Sequence, residues 1–126
     1  MNETYPALEQ KRHIEIILKD GRRFEFEGKY GRTEGCIMPY SMGGEPARAF
    51  SAASVLYVKS TDDYIGCMGF GLPTKVTVEF VDGTTMDVDA ETFPVTSSGY
   101  WVVRDVLKKV EYLIPIWSCV QVTERK

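Results

Sequence analysis

The sequence predicts a mainly β protein built as two tandem five-stranded repeats, and three observations predict it. Residues 13–28 and 75–90 carry one pattern: at an offset of 62 (75 minus 13), Ile14, Ile16 and Leu18 fall on Val76, Val78 and Phe80, while Phe24 and Phe26 fall on Met86 and Val88. Both segments alternate apolar and polar residues about an Asp-Gly pair, Asp20-Gly21 and Asp82-Gly83. That is a strong hairpin signature, read here as a type I′ turn with positive φ at both residues. Further on, the chain matches itself again at an offset of 64, so that Ser54 falls on Ser118, Leu56 on Val120 and Val58 on Val122.

Taken in order, residues 1–12 are a polar arm in which Pro6 suits the first position of a short helical turn. The first repeat covers 13–60. Its hairpin strands are expected near 13–19 and 22–28, and Gly28, Gly31 and Gly35 then punctuate a loop. A third strand follows over 36–40, then a fourth, a one-turn corner at 51–53 and a final strand. The second repeat, 75–126, runs through the same elements with two residues inserted before Gly99. Its corner falls at 115–117, where Pro115 has no N–H to give a ladder and so ends a strand. A unit of roughly 50–60 residues buries too little surface to be comfortably stable alone, so the repeats are expected to share one core. Between them, 61–74 is a connector with Gly66, Gly69 and Gly71 but also Tyr64, Ile65, Met68, Phe70 and Leu72. A flexible linker is more polar than that. Its apolar side chains belong in the seam between repeats or against a partner.

The segment 18–28, with its Leu-Lys-Asp-Gly-Arg-Arg-Phe opening, resembles the first strands of Sm-like proteins, and 113–120 resembles the closing strands of an SH3-like barrel. The resemblance implies two small, strongly bent barrels or β-rolls, used in those families to bind peptides or nucleic acid. The Asp and Asn with which Sm-type proteins read uridine, and the aromatic row of SH3 domains, have no counterpart here.

The chemical inventory is that of a binder. Of 126 residues, 44% are hydrophobic and 26% charged, an ordinary globular balance. The net charge of −3 argues against a general nucleic-acid binder, whose footprint is basic. Cys36, Cys67 and Cys119 are odd in number and form no Cys-x-x-Cys pair, which suits reduced, mostly buried thiols in a cytoplasmic protein. No apolar leader or membrane-length run is visible. His13 is the only histidine, so no catalytic triad or zinc site is expected, nor any metal or other cofactor. Asp87, Asp89 and Glu91 alternate along one strand, as Glu25 and Glu27 do in the first repeat, and read as a solvated sheet face.

The candidate binding residues are basic and aromatic. Arg22, Arg23, Lys29 and Arg32, with Tyr30, Tyr40 and Arg48, could hold a phosphate-bearing ligand or an acidic partner through guanidinium forks and stacking faces. Tyr64 and Phe70 in the connector join them. Trp101 and Trp117 occupy positions where the first repeat has Ile37 and Ala53, and are expected either in the seam, the favoured place, or on a binding face. Two functions fit. One is a non-catalytic adaptor or inhibitor that engages a protein partner through an apolar patch or open sheet edge. The other is a sequestering protein that holds a nucleotide-like ligand between repeats or across a homodimer, similar in kind to small β-rich phage proteins that counter host defence.

Overall fold

The computed structural model describes residues 12–41, 48–61 and 72–125. The arm at 1–11 and most of the connector, including Tyr64 and Phe70, lie outside the described residues. The chain is mainly β and forms one antiparallel, unclosed sheet of 11 strands. In chain order these are β1 (Arg12–Leu18), β2 (Arg23–Arg32), β3 (Cys36–Ser41), β4 (Phe50–Ser51), β5 (Val55–Thr61), β6 (Thr74–Phe80), β7 (Thr85–Ala90), β8 (Val95–Ser97), β9 (Tyr100–Asp105), β10 (Val110–Pro115) and β11 (Cys119–Glu124). One-turn 3-10 corners, Ala52–Ser54 and Ile116–Ser118, precede β5 and β11, each one residue later than the sequence suggests.

Across the sheet the strands lie in the order β11-β6-β7-β9-β10-β5-β1-β2-β3-β4, with β8 beside β9. Each half therefore reads final strand, first, second, third, fourth. The halves meet where β10 pairs with β5, through Val110↔Thr61, Glu111↔Ser60, Tyr112↔Lys59 and Leu113↔Val58. Among the described residues this leaves β11 and β4 as the two outer edges.

The hairpins form where alternation demands, but their turns differ from the expected type I′. The Gly21 amide donates to the Leu18 carbonyl at 3.0 Å and the Leu18 amide to the Arg22 carbonyl at 2.9 Å, closing a three-residue loop over residues 19–21. Only its glycine has positive φ, +95°. This is a type I turn followed by a left-handed bulge residue, which needs one glycine rather than two special residues. Asp20 instead accepts the Arg22 amide at 3.0 Å. Gly83 (φ +90°), Phe80, Thr84 and Asp82 repeat every one of these bonds in the second hairpin. A two-residue turn with positive φ throughout does occur at Ser98-Gly99 (φ 53° and 86°), joining β8 to β9.

Two other expectations are corrected. Gly28 and Gly31 do not make a loop: β2 runs through both to Arg32, paired with β3. The second half breaks the equivalent strand into β7 and β8 at residues 91–94, where the inserted residues and Pro94 interrupt the ladder. This accounts for the odd strand. Nor is there one core. Ile14, Ile16, Ile37, Val55 and Val58 centre one cluster, and Val76, Val78, Phe80, Val88 and Ile114 the other. The halves are joined edge to edge, so each curls over its own apolar face. Each cluster nevertheless borrows across the joint: Tyr100 and Leu113 pack into the first, Leu56 into the second.

Candidate functional site

The structure does not assemble the basic candidates into one site. Arg22 and Arg23 stand at the start of β2 and Arg32 at its end, a separation of up to roughly 30 Å for a strand of this length. Arg22 closes back on Asp20 at 2.9 Å. The Arg22 amide and guanidinium hold the Asp20 carboxyl below its ordinary value. Arg23 reaches Glu15 and Glu25 at 3.6 and 3.9 Å. Arg32 lies over the Tyr100 ring, 5.4 Å from its centre, and Arg48 over Phe24 at 6.0 Å. Tyr30 is half-buried against the first cluster. Burial raises the Tyr30 phenol pKa, while the Ser60 hydroxyl beside it acts the other way. Tyr40 stands on β3 beside Lys29 of β2. Most of these cations thus serve local pairs and stacking contacts.

The tryptophans separate. Trp101, on β9, is partly buried against the second cluster. Trp117 is 60% exposed, against the seam expectation. Its corner lies beside the Ala52–Ser54 corner and β5, but the Trp117 side chain itself is turned to solvent. Ile116 and Val120 are exposed beside it, making an apolar collar along β11. Sequence alone gave no sign that Val120 belongs to this collar, because its counterpart Leu56 is buried.

The backbone of β11 is open along the same edge. Arg125.N donates to Lys75.O at 2.8 Å, on the register that pairs Thr123 with Thr77 and Val122 with Val78. Antiparallel ladders alternate bonded and non-bonded pairs, so Thr123 bonds inward while Val122 and Glu124 turn their N–H and C=O groups away from β6. Such groups beside exposed apolar side chains are a template for strand addition. At the other end of β11, the buried Ser118 hydroxyl donates to Val55.O and ties the corner to β5.

A second feature lies between the two Asp-Gly turns. A groove of about 380 Å³ is floored by Ile17, Leu56, Tyr57, Phe80 and Met86, with Lys19 at its rim. Tyr57 contacts Phe80 and Tyr112, with ring centres 5.5 and 5.7 Å apart. Burial raises the Tyr57 phenol pKa, and Arg23 opposes this shift. Burial, then Asp105, pushes Tyr112 up to about 12. Burial likewise pushes up the Cys119 thiol, and both Cys36 and Cys119 are unpaired and only half-buried.

Other charged groups are spoken for. His13 meets Glu27 at 2.8 Å and Glu25 at 3.2 Å. Asp105, fully buried, accepts the Leu107 and Lys108 amides at 3.1 and 2.9 Å and so caps the β9–β10 turn. Glu91 lies 4.0 Å from Arg104 and Asp87 accepts Thr77, so the alternating acids make local partners on a wet face. Among the described residues no group of three or more His, Cys, Asp or Glu is placed to hold a metal, and no helix is long and apolar enough to cross a membrane.

Compared with protein-family models, with curated proteins and with solved structures, the chain gave no match.

Proposed function

We propose that the protein is a non-catalytic binding protein, two fused copies of one SH3- or Sm-like five-stranded unit, which engages a protein partner by strand addition to β11. The observation that carries this reading is the coincidence of outward backbone groups at Val122 and Glu124 with the exposed Trp117, Ile116 and Val120. The tandem origin is supported by register. The Leu18↔Val55 shift recurs as Phe80↔Cys119, and the hydrogen bond from the Ala52 amide to the Gly35 carbonyl recurs from the Ile116 amide to the Gly99 carbonyl. The test is affinity capture from the native cells with wild-type protein and with Val120→Lys, a charge that blunts an edge strand. A specific protein recovered by the wild type and lost with the variant is expected. Equal recovery by both would rule out β11 as the contact.

The groove favours a second reading, sequestration of a nucleotide-like ligand stacked on Tyr57 or Phe80 with its anionic group on Lys19. A panel of nucleotides should raise the melting temperature in a concentration-dependent way, and Tyr57→Ala should abolish the rise. A flat response would dismiss this reading.

A further inference from the structure

The internal joint shows what a β11-type strand looks like when it is covered. In β5, Leu56 is 7% exposed and Val58 and Ser60 are at 0%, because β10 lies alongside. Their counterparts at the offset of 64 are Val120, at 57% exposure, Val122 and Glu124, on the outer edge. The opposite edge of the molecule is β4, the counterpart of the covering strand β10. One molecule therefore carries at its two ends the two halves of a contact it already makes in its middle.

The corners agree. At the joint, the corner after the fourth strand (Ile116–Ser118) lies beside the corner before the fifth (Ala52–Ser54). Were the joint repeated between molecules, the Ala52-Ala53 corner would follow the fourth strand and the Ile116-Trp117 corner would precede the fifth. The two corners would again lie side by side.

We propose that the occupant of β11 is a second copy of this chain, its β4 edge with Arg48 and Ala49 laid antiparallel along β11 so as to repeat the β10–β5 joint. This rests on the tandem-unit, open-edge reading above. The internal pairs Leu113↔Val58 and Tyr112↔Lys59 fix the register: Ala49 opposite Val122 and Arg48 opposite Thr123. Contact is heterologous, β4 on β11, so assembly runs head to tail and closes into a ring or extends as a filament.

The test uses the full chain, by native mass spectrometry and sedimentation over a range of concentrations. Wild type should populate integer multiples of the chain mass. Val120→Lys should weaken assembly by at least about tenfold while the monomer's melting temperature holds, and Val122→Pro, which removes an outward N–H but also trims a side chain packed on the second cluster, should weaken it as much at some cost in melting temperature. Register is read by oxidising Ala49→Cys and Val122→Cys proteins separately and mixed. A new cross-linked dimer in the mixture alone is expected. Three results overturn the proposal: a wild type monomeric up to about 1 mM, assembly indifferent to both edge variants, or cross-linking of Val122→Cys to itself, which would mean a symmetric β11–β11 dimer. A monomer whose cell-derived partner is still lost with Val120→Lys would overturn only the second-copy occupant and leave the open-edge function standing. Edge variants that disperse the assembly but leave partner capture intact would do the reverse.

Discussion

β5 and β11 hold the same place in the strand order of the two halves, and their difference comes from what lies beside them. Each follows a 3-10 corner, pairs antiparallel with the first strand of its hairpin and carries the same register shift at its start. Yet Leu56 is buried and Val120 is mostly in water. Local sequence sets the strand, and the neighbour sets the burial. An apolar residue on an outward-facing edge is thus better read as an uncovered position than as a surface accident.

The comparison breaks most severely at Tyr100, which leaves its own half to fill the first cluster and donates its hydroxyl to Thr33.O at 2.8 Å. Tyr100→Ala should cost about 3–5 kcal/mol in denaturant unfolding, the range for truncating a buried large side chain. A loss under about 1 kcal/mol would mean the halves do not depend on each other. The next test is paired: Leu56→Ala should cost about 2–4 kcal/mol, while Val120→Ala in dilute monomer stays within about 0.5 kcal/mol. Equal losses would contradict the assignment of one strand as covered and the other as bare. Asp105→Ala should cost about 2 kcal/mol, because it strips the buried acceptor from two amides of the turn that feeds the joint strand. Unchanged stability would show that turn to be dispensable.

The smallest effect separates the hairpins by pH. His13 has Lys75 as its counterpart in the second half. Its hydrogen bond with Glu27 raises its pKa above 6.5; desolvation opposes this, and the charges of Glu27, Glu15 and Glu25 add to the rise. Lys59 faces Glu15 from β5, and Arg23 reaches the same carboxylate from β2, so the acids around His13 are partly shared. A raised folded pKa means the folded chain holds the proton more tightly. The stabilisation is therefore present below about 6.5 and lost as pH rises through the folded value. Its hydrogen-bond partner Glu27 and the neighbouring Glu25 are exposed, so the effect is small. His13→Lys should flatten that slope, and an NMR titration of the imidazole should give a midpoint above the ordinary value. A midpoint at or below 6.5 would remove the pairing.

Much of the fold was legible because its elements are local. Alternation about Asp20-Gly21 and Asp82-Gly83 places both hairpins, and Pro115 marks a corner. The turn type escaped, since Asp-Gly serves both a two-residue turn and a three-residue loop with a bulge, and the two differ in strand register rather than in composition. The β10–β5 joint escaped for a different reason. Its residues are far apart in sequence and carry the same apolar pattern that β4 and β11 carry without a partner. The site followed the joint: Arg22 and Arg32 look adjacent in a list of cations but sit at opposite ends of β2, and Trp117 looks like filler until its strand proves to be an edge.

The exchange of Tyr100, Leu113 and Leu56 between the clusters has a consequence for synthesis. The strands of the first half are all made once residue 61 has left the ribosome, but that half then lacks two of its buried side chains. It must wait, with Ile37 and Val55 incompletely covered, until residue 113 emerges. At typical translation rates of about 5–20 residues per second, that pause lasts about 3–10 seconds. The nascent chain spends it as a half-built sheet, which makes the N-terminal half, rather than the finished protein, the species most in need of a chaperone.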